Sequence, residues 1–174
     1  MKSREKRLLI VSGIAAILFV VIVILSLPPL RHSVFPTKED KLFVAIWNAD
    51  TNSVANLLAA GANPNSIAWS VRRATPLIDA VRFGHLVIVQ MLLERGADPN
   101  IGDRGDHAAL HYALTSPGLY DDRESGKILS MLLAHGANPQ GKGVVDAMRD
   151  ISPNDNRWET CQEVLKKLGG KEAP

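Results

Sequence analysis

The side chains of this 174-residue chain that most suggest chemistry lie in Gly136-Ala137-Asn138-Pro139-Gln140-Gly141-Lys142-Gly143. This is the Gly-x4-Gly-Lys spacing of a loop that cradles phosphates with backbone N–H groups and a lysine. Two features argue against that use. Gly143 stands where a Ser or Thr should reach a magnesium ion, and the segment follows an expected helix over Ile128–His135 rather than a strand. His85 and His111 offer metal-ligating nitrogens, but no further ligands accompany them at fitting spacing, and structural roles are expected for both. Asp121-Asp122-Arg123-Glu124 reads as a solvated loop, with a bound cation or a basic partner as the alternatives. Cys161 is the one cysteine, so an internal disulfide is excluded, and no recognisable motif places a His or a cation beside it. No nucleophile–base pair or paired-carboxylate motif stands out. The expectation is a protein that is not an enzyme, with no catalytic residues, no metal, no cofactor and no small-molecule substrate.

The elements that position these residues announce themselves by repetition. Gly61-Ala62-Asn63-Pro64-Asn65, Gly96-Ala97-Asp98-Pro99-Asn100 and Gly136-Ala137-Asn138-Pro139-Gln140 are three copies of one phrase, each preceded by a Leu-Leu pair. Gly after an apolar run closes a helix in the left-handed conformation, and the Pro that follows cannot continue one. Upstream of the second copy, Thr75 suits an N-cap and Pro76 the first helical position. Leu77, Ala80 and Val81 then share one face, and a second helix is predicted over Leu86–Arg95. From Thr75 to Asn100 the chain resembles an ankyrin repeat, whose pattern reads Thr-Pro-Leu-His, Ala-Ala, Gly-His, Leu-Leu, Gly-Ala-Asp. Ile78 takes the place of the His. The third unit keeps Leu110-His111 and Ala113 with Ala108-Ala109 in place of Thr-Pro, and the first (Leu42, Ala45, Val54, Leu57, Leu58, Gly61) lacks the Thr-Pro start. A weaker fourth unit runs from Val144 to Gly169. The resemblance implies an all-α ankyrin-repeat solenoid over residues 38–170, of three repeats plus a degenerate C-terminal capping repeat.

Ahead of the repeats, Leu8–Leu27 carries no charge and departs from apolar residues only at Ser12, Gly13 and Ser26. Twenty helical residues rise about 30 Å, the hydrocarbon thickness of a bilayer. A cleaved signal peptide is the alternative, but its apolar region is usually about 7–15 residues and ends at a small-x-small site, whereas this run is longer and ends Leu25-Ser26-Leu27-Pro28-Pro29. The reading is therefore a cytoplasmic basic tail (1–7), one N-terminal transmembrane signal-anchor helix (8–27), a linker (28–37), the repeats (38–170) and a tail (171–174). Lys2, Arg4, Lys6 and Arg7 place the N-terminus in the cytoplasm and the repeats outside it; the resemblance to small membrane-anchored ankyrin proteins of bacteria implies the periplasm as that outer compartment. Without residues 1–7, 16 Lys and Arg face 17 Asp and Glu, so the calculated pI near 8.8 gives no support for nucleic-acid binding.

Two departures from the repeat bear on use. Gly-to-Gly spacing grows from 35 to 40 residues, with the extra length at Ser116–Asp122, and unit four swells at Ser152–Asn156; insertions map either to a working face or to tolerant surface loops. The first finger, Ser66–Arg73, holds a Trp beside two arginines, residue types that dominate interface energies. By the resemblance, a protein partner would meet Trp47, Arg82, Phe83 and Thr115 on the inner helices and Trp69, Val71, Arg72, Arg104 and His107 on the fingers. Burial of Trp69 or Phe83 within the stack is the other outcome. The implied function is protein–protein binding outside the cytoplasm by a membrane-anchored module that neutralises or assists a secreted or periplasmic protein. The rival is a membrane-tethered scaffold with cytoplasmic repeats.

Overall fold

Each copy of the repeated phrase ends a helix, with Gly61, Gly96 and Gly136 at φ of 82, 81 and 83°. Nothing lies within 4 Å of a Cβ built on any of the three, so glycine is required there by the left-handed backbone and not by crowding. The computed structural model describes residues 18–23, 36–68, 70, 72–115, 122–150 and 158–167. The chain divides into two units, Met1–Thr37 and Lys38–Pro174. In the first, residues 18–23 are helical with exposed apolar side chains. Among the described residues no helix is long and apolar enough to cross a membrane. The expected basic tail and most of both the 8–27 span and the linker lie outside the described residues.

The second unit is built from eight described helices: α1 (Lys38–Trp47), α2 (Thr51–Ala59), α3 (Pro76–Phe83), α4 (Leu86–Glu94), α5 (Ala109–Thr115), α6 (Asp122–Ala134), α7 (Val144–Arg149) and α8 (Trp158–Lys167). Among the described residues there is no strand. The helices pack as four pairs, α1–α2 through α7–α8. The odd-numbered helices also contact one another in sequence, α1 on α3 on α5 on α7, and the even-numbered ones likewise. Two layers result, an inner one of odd helices and an outer one of even helices. Leu42, Ile46, Leu58, Leu77, Val81, Ile88, Leu92, Leu110, Leu129, Leu132, Met148 and Cys161 form one continuous buried core between them.

Local signals set the helix ends. Thr75 Oγ1 accepts from the Ile78 N–H at 3.2 Å, with Pro76 at the first helical position. Helix α4 stops at Glu94, one residue short of the expected Arg95, which caps it. The larger correction concerns Asp122-Arg123-Glu124, expected as loop: these residues open α6, so the backbone is already helical there. Asp121 and the rest of the first insertion, residues 116–120, lie outside the described residues, as does the whole of the second, residues 152–156.

The units are stitched by a side-chain ladder. Asn65 donates from Nδ2 to the Gly96 carbonyl (3.0 Å) and accepts at Oδ1 from the Asp98 N–H (2.7 Å). Asn100 repeats both bonds on the Gly136 carbonyl (3.0 Å) and the Asn138 N–H (2.7 Å). At the front edge, Glu39 Oε1 accepts from the Asn63 N–H (3.3 Å) and Lys38 Nζ donates to the Ala60 carbonyl (2.6 Å). Helix α1 thus satisfies with its own first turn the N–H that an asparagine satisfies further along, and takes the carbonyl one residue before the glycine instead of the glycine's own.

Candidate functional site

The inner layer carries a column of side chains that sequence spacing alone lines up. Counting from Leu42, Leu77, Leu110 and Val144, the second position on is Val44, Asp79, Tyr112 and Asp146; the fifth is Trp47, Arg82, Thr115 and Arg149. Stacking the helices puts these beside one another. Trp47 Nε1 donates to Asp79 Oδ2 at 3.2 Å, and Arg82 donates to Asp79 Oδ1 at 3.1 Å. Asp79 is 5% exposed, so its buried charge is answered by a donor from its own helix and one from the preceding unit. The Arg82 guanidinium lies 5.6 Å from the Phe83 ring centroid and 5.8 Å from that of Tyr112, within cation–π reach of both. Arg149 stands 3.6 Å from Asp146, an exposed echo of the Arg82–Asp79 pair.

From Tyr112 the network passes into the second finger, the loop between Gly96 and Ala108; the third finger lies between Gly136 and Val144. The Tyr112 hydroxyl donates to Asp103 Oδ2 at 2.6 Å, while Asp103 Oδ1 accepts from the N–H groups of Gly105 (2.8 Å) and His107 (3.2 Å). Burial pulls the Asp103 carboxyl up, but the Tyr112 hydroxyl and the His107 and Gly105 amides outweigh it and hold it below the usual carboxylate range. Burial, reinforced by Asp103, pushes the Tyr112 phenol up. The His107 and His111 rings stack at 4.2 Å. Burial holds the His111 imidazole below its ordinary value and the neighbouring His107 adds to this, while the Asp103 carboxylate acts in the opposite sense. His111 Nδ1 is buried with no hydrogen-bond partner. A Cβ on Gly143 would lie 3.0 Å from that nitrogen, so glycine there lets the third finger close over the imidazole.

The fingers are tied edge to edge. The Arg104 N–H donates to the Arg72 carbonyl at 2.9 Å, and Lys142 Nζ to the Gly105 carbonyl at 2.9 Å. The phosphate-loop spacing of Gly136–Gly143 is accounted for in the same way. Its N–H groups at 136, 137, 138, 140 and 141 donate to Leu133, Leu132, Asn100, Asn138 and Asn138 respectively, leaving none of these five for a phosphate. Among the described residues no three His, Cys, Asp or Glu side chains are grouped to hold a metal ion.

Residues 42–142, more than half of the chain, match the family described as Ankyrin repeats (3 copies). The chain belongs to the ankyrin repeat family. It is 40% identical over 72 residues to the Arf-GAP with coiled-coil, ANK repeat and PH domain-containing protein 2 of Gallus gallus, covering 41% of this chain and 9% of that protein. A putative ankyrin repeat-containing protein of Treponema pallidum (strain Nichols) is 29% identical over 98 residues, 56% of this chain and 30% of that one. The putative ankyrin repeat protein L92 of Acanthamoeba polyphaga mimivirus is 39% identical over 69 residues, 37% and 15% of the two chains. The aligned part of this ankyrin protein thus spans less than a third of each of these relatives.

In this ankyrin stack the expected partner residues fall into three groups. Trp47, Arg82 and Phe83 are gathered around Asp79, Trp47 being 53% exposed and Phe83 half-buried with its ring stacked 5.8 Å from that of His85. Arg72, Arg104 and His107 lie along the joined fingers. Thr115 is exposed at the end of α5 and turns its hydroxyl back to the His111 carbonyl (2.9 Å). Trp69 and Val71 lie outside the described residues. Asp79, Asp103 and Tyr112 are absent from the expected set, although they join its members. The signal for Asp79 and Tyr112 is their shared register position, two residues after the Leu of each inner helix.

Proposed function

We propose that this ankyrin repeat protein binds a protein partner along the inner helices and the finger edge, using Trp47, Arg82, Phe83 and Thr115 in the groove and Trp69, Val71, Arg72, Arg104 and His107 on the fingers. Ankyrin repeats are protein–protein interaction modules, typically without catalysis. The observation that carries the reading is the exposure of Trp47 (53%) and Val44 (49%) on the inner face: large apolar side chains left uncovered beside the hydrogen-bonded Asp79–Arg82 pair. Exposed aromatic and arginine side chains at the centre of a patch are those that dominate interface energies. The module hangs from the membrane by the uncharged run 8–27, with the basic residues 1–7 in the cytoplasm and the linker 28–37 leading to the repeats outside it. It resembles the small membrane-anchored ankyrin proteins of bacteria, and its partner is a secreted or periplasmic protein that it neutralises or assists.

Two experiments test the two halves. Trp47→Ala with Phe83→Ala should abolish partner capture by the detergent-solubilised chain while circular dichroism stays helical; unchanged capture rejects the surface. A reporter fused after Pro174 should be active only outside the cytoplasm, and activity confined to the cytoplasm would establish the scaffold alternative instead.

A further inference from the structure

This inference rests on the reading of the inner face and fingers as a protein-binding surface, and it specifies the chemistry of the segment bound there. The formal charges of the repeats nearly cancel, but those turned outward on the finger edge do not. Asp103, the acid at the root of the second fingertip, has a side chain only 6% exposed, and its oxygens accept from Tyr112, Gly105 and His107. Asp79, on the inner helix beside it, is buried and taken up by Trp47 and Arg82. Their charges are spent inward. The cations Arg72, Arg73, Arg104 and Lys142 are all exposed, on three successive fingers that the Arg104–Arg72 and Lys142–Gly105 bonds draw into one ridge. Among the described finger residues the exposed acids are Asp106 and, at the finger base, Asp98, whose carboxylate closes its own turn on the Asn100 N–H (2.8 Å). The ridge connects to the apolar end of the groove through the second finger: the Tyr112 hydroxyl donates to Asp103 at its root, Arg82 lies over the Tyr112 ring, and Arg82 and Trp47 share Asp79.

We infer that the occupant is an extended acidic polypeptide segment, its carboxylates meeting Arg72, Arg73, Arg104 and Lys142 and an apolar side chain lying on Val44 and Trp47. Charge complementarity favours this partner, because rim charges steer association and set its salt dependence while an apolar anchor supplies affinity. Arginine forks suit carboxylates in particular. A nucleic acid would bring a uniform row of phosphates against Asp106 and leave aliphatic Val44 without a matching surface.

Fluorescence anisotropy of the full chain in a neutral detergent decides the matter, with labelled short peptides alternating Glu and Ser around a central Leu, the Lys counterpart of that peptide, and single-stranded DNA. The acidic peptide should bind, weaken as salt rises, and bind at least about tenfold more weakly to Arg72→Glu/Arg104→Glu. Arg95→Glu/Lys127→Glu, which makes the same charge change outside the finger edge and the inner helices, should leave it unchanged. If the reversed variant loses helicity, Arg72→Gln/Arg104→Gln decides in its place. Equal or tighter binding of the Lys peptide, equal loss in the control variant, or binding of the DNA or of phosphatidylglycerol vesicles without the acidic peptide would overturn the inference. Failure of the groove reading shows separately, as capture indifferent to Trp47→Ala and Phe83→Ala. Acid-selective binding with such indifference leaves the ridge standing; sensitive capture without acid selectivity removes it.

Discussion

Asn65 and Asn100 each bridge two units through one side-chain amide, donating to a glycine carbonyl and accepting from a backbone N–H. A net hydrogen bond contributes about 0.5–1.5 kcal/mol, and both of these are solvent-exposed, so Asn100→Ala should cost about 1–2 kcal/mol. Asn100→Asp, which keeps the acceptor and loses the donor, should fall between that and the natural protein. Urea midpoints measure both, and an unchanged midpoint for Asn100→Ala would show the bridge to be incidental. His111 gives a second residue-level expectation. Burial holds its imidazole below the unfolded value of about 6.5, as it does for His85, so the folded protein binds fewer protons than the unfolded chain. Stability is therefore fully present above pH 6.5 and declines as pH falls from there toward the folded values. The groups around His111 oppose one another, since His107 disfavours its charge and Asp103 favours it. Thermal midpoints should drop between pH 7.5 and 5, and less steeply in His111→Asn; parallel curves for the two proteins would remove His111 from the account.

At the scale of elements, the contrast between units two and three isolates one cap. Thr75 is 1% exposed and its hydroxyl accepts from the Ile78 N–H, so Thr75→Ala should cost about 1 kcal/mol. Ala108 occupies the same place before α5, where the His111 N–H reaches the Ala108 carbonyl (3.1 Å). Ala108→Ser supplies the missing oxygen and should return about 0.5–1 kcal/mol, read as opposite displacements of the denaturation midpoint. Such pairs show what the chain alone disclosed. Helix ends were legible because they rest on local chemistry: Thr-Pro at a start, Gly at a stop, Pro beyond it. The start of α6 is not legible in this way, since Asp122-Arg123-Glu124 carries no Thr-Pro signal and reads as a charged loop until the helix behind it is known. Less legible still was the network through Asp79, Tyr112 and Asp103. Trp47 and Asp79 stand 32 residues apart, and nothing local says that a Trp on one inner helix will donate to an acid on the next. Stacking register decides that, and a register read as a column across units would have exposed it.

For the whole molecule, a stack in which each pair touches its neighbours predicts that damage spreads according to place. Helix α4 is packed against α2, α3 and α6, with neighbours on both sides, whereas α7 and α8 reach the rest of the described stack through α5 and α6. Leu92 and Met148 are both fully buried, so removing either side chain to Ala should cost about 2–5 kcal/mol by the same cavity physics. What differs is who bears the loss. Leu92→Ala cuts the middle of the continuous core, and amide protection should fall together across α1–α6. Met148→Ala strikes an outlying pair: amides of α7 and α8 should exchange faster while those of α3 and α4 keep their protection, because the inner units still cover one another. Exchange followed by mass spectrometry resolves the two patterns. Uniform loss of protection in Met148→Ala would mean that the four pairs unfold as a single cooperative body, and coupling through the fingers, by way of Lys142–Gly105 and the closure of Gly143 over His111, would then have to be as strong as the core itself.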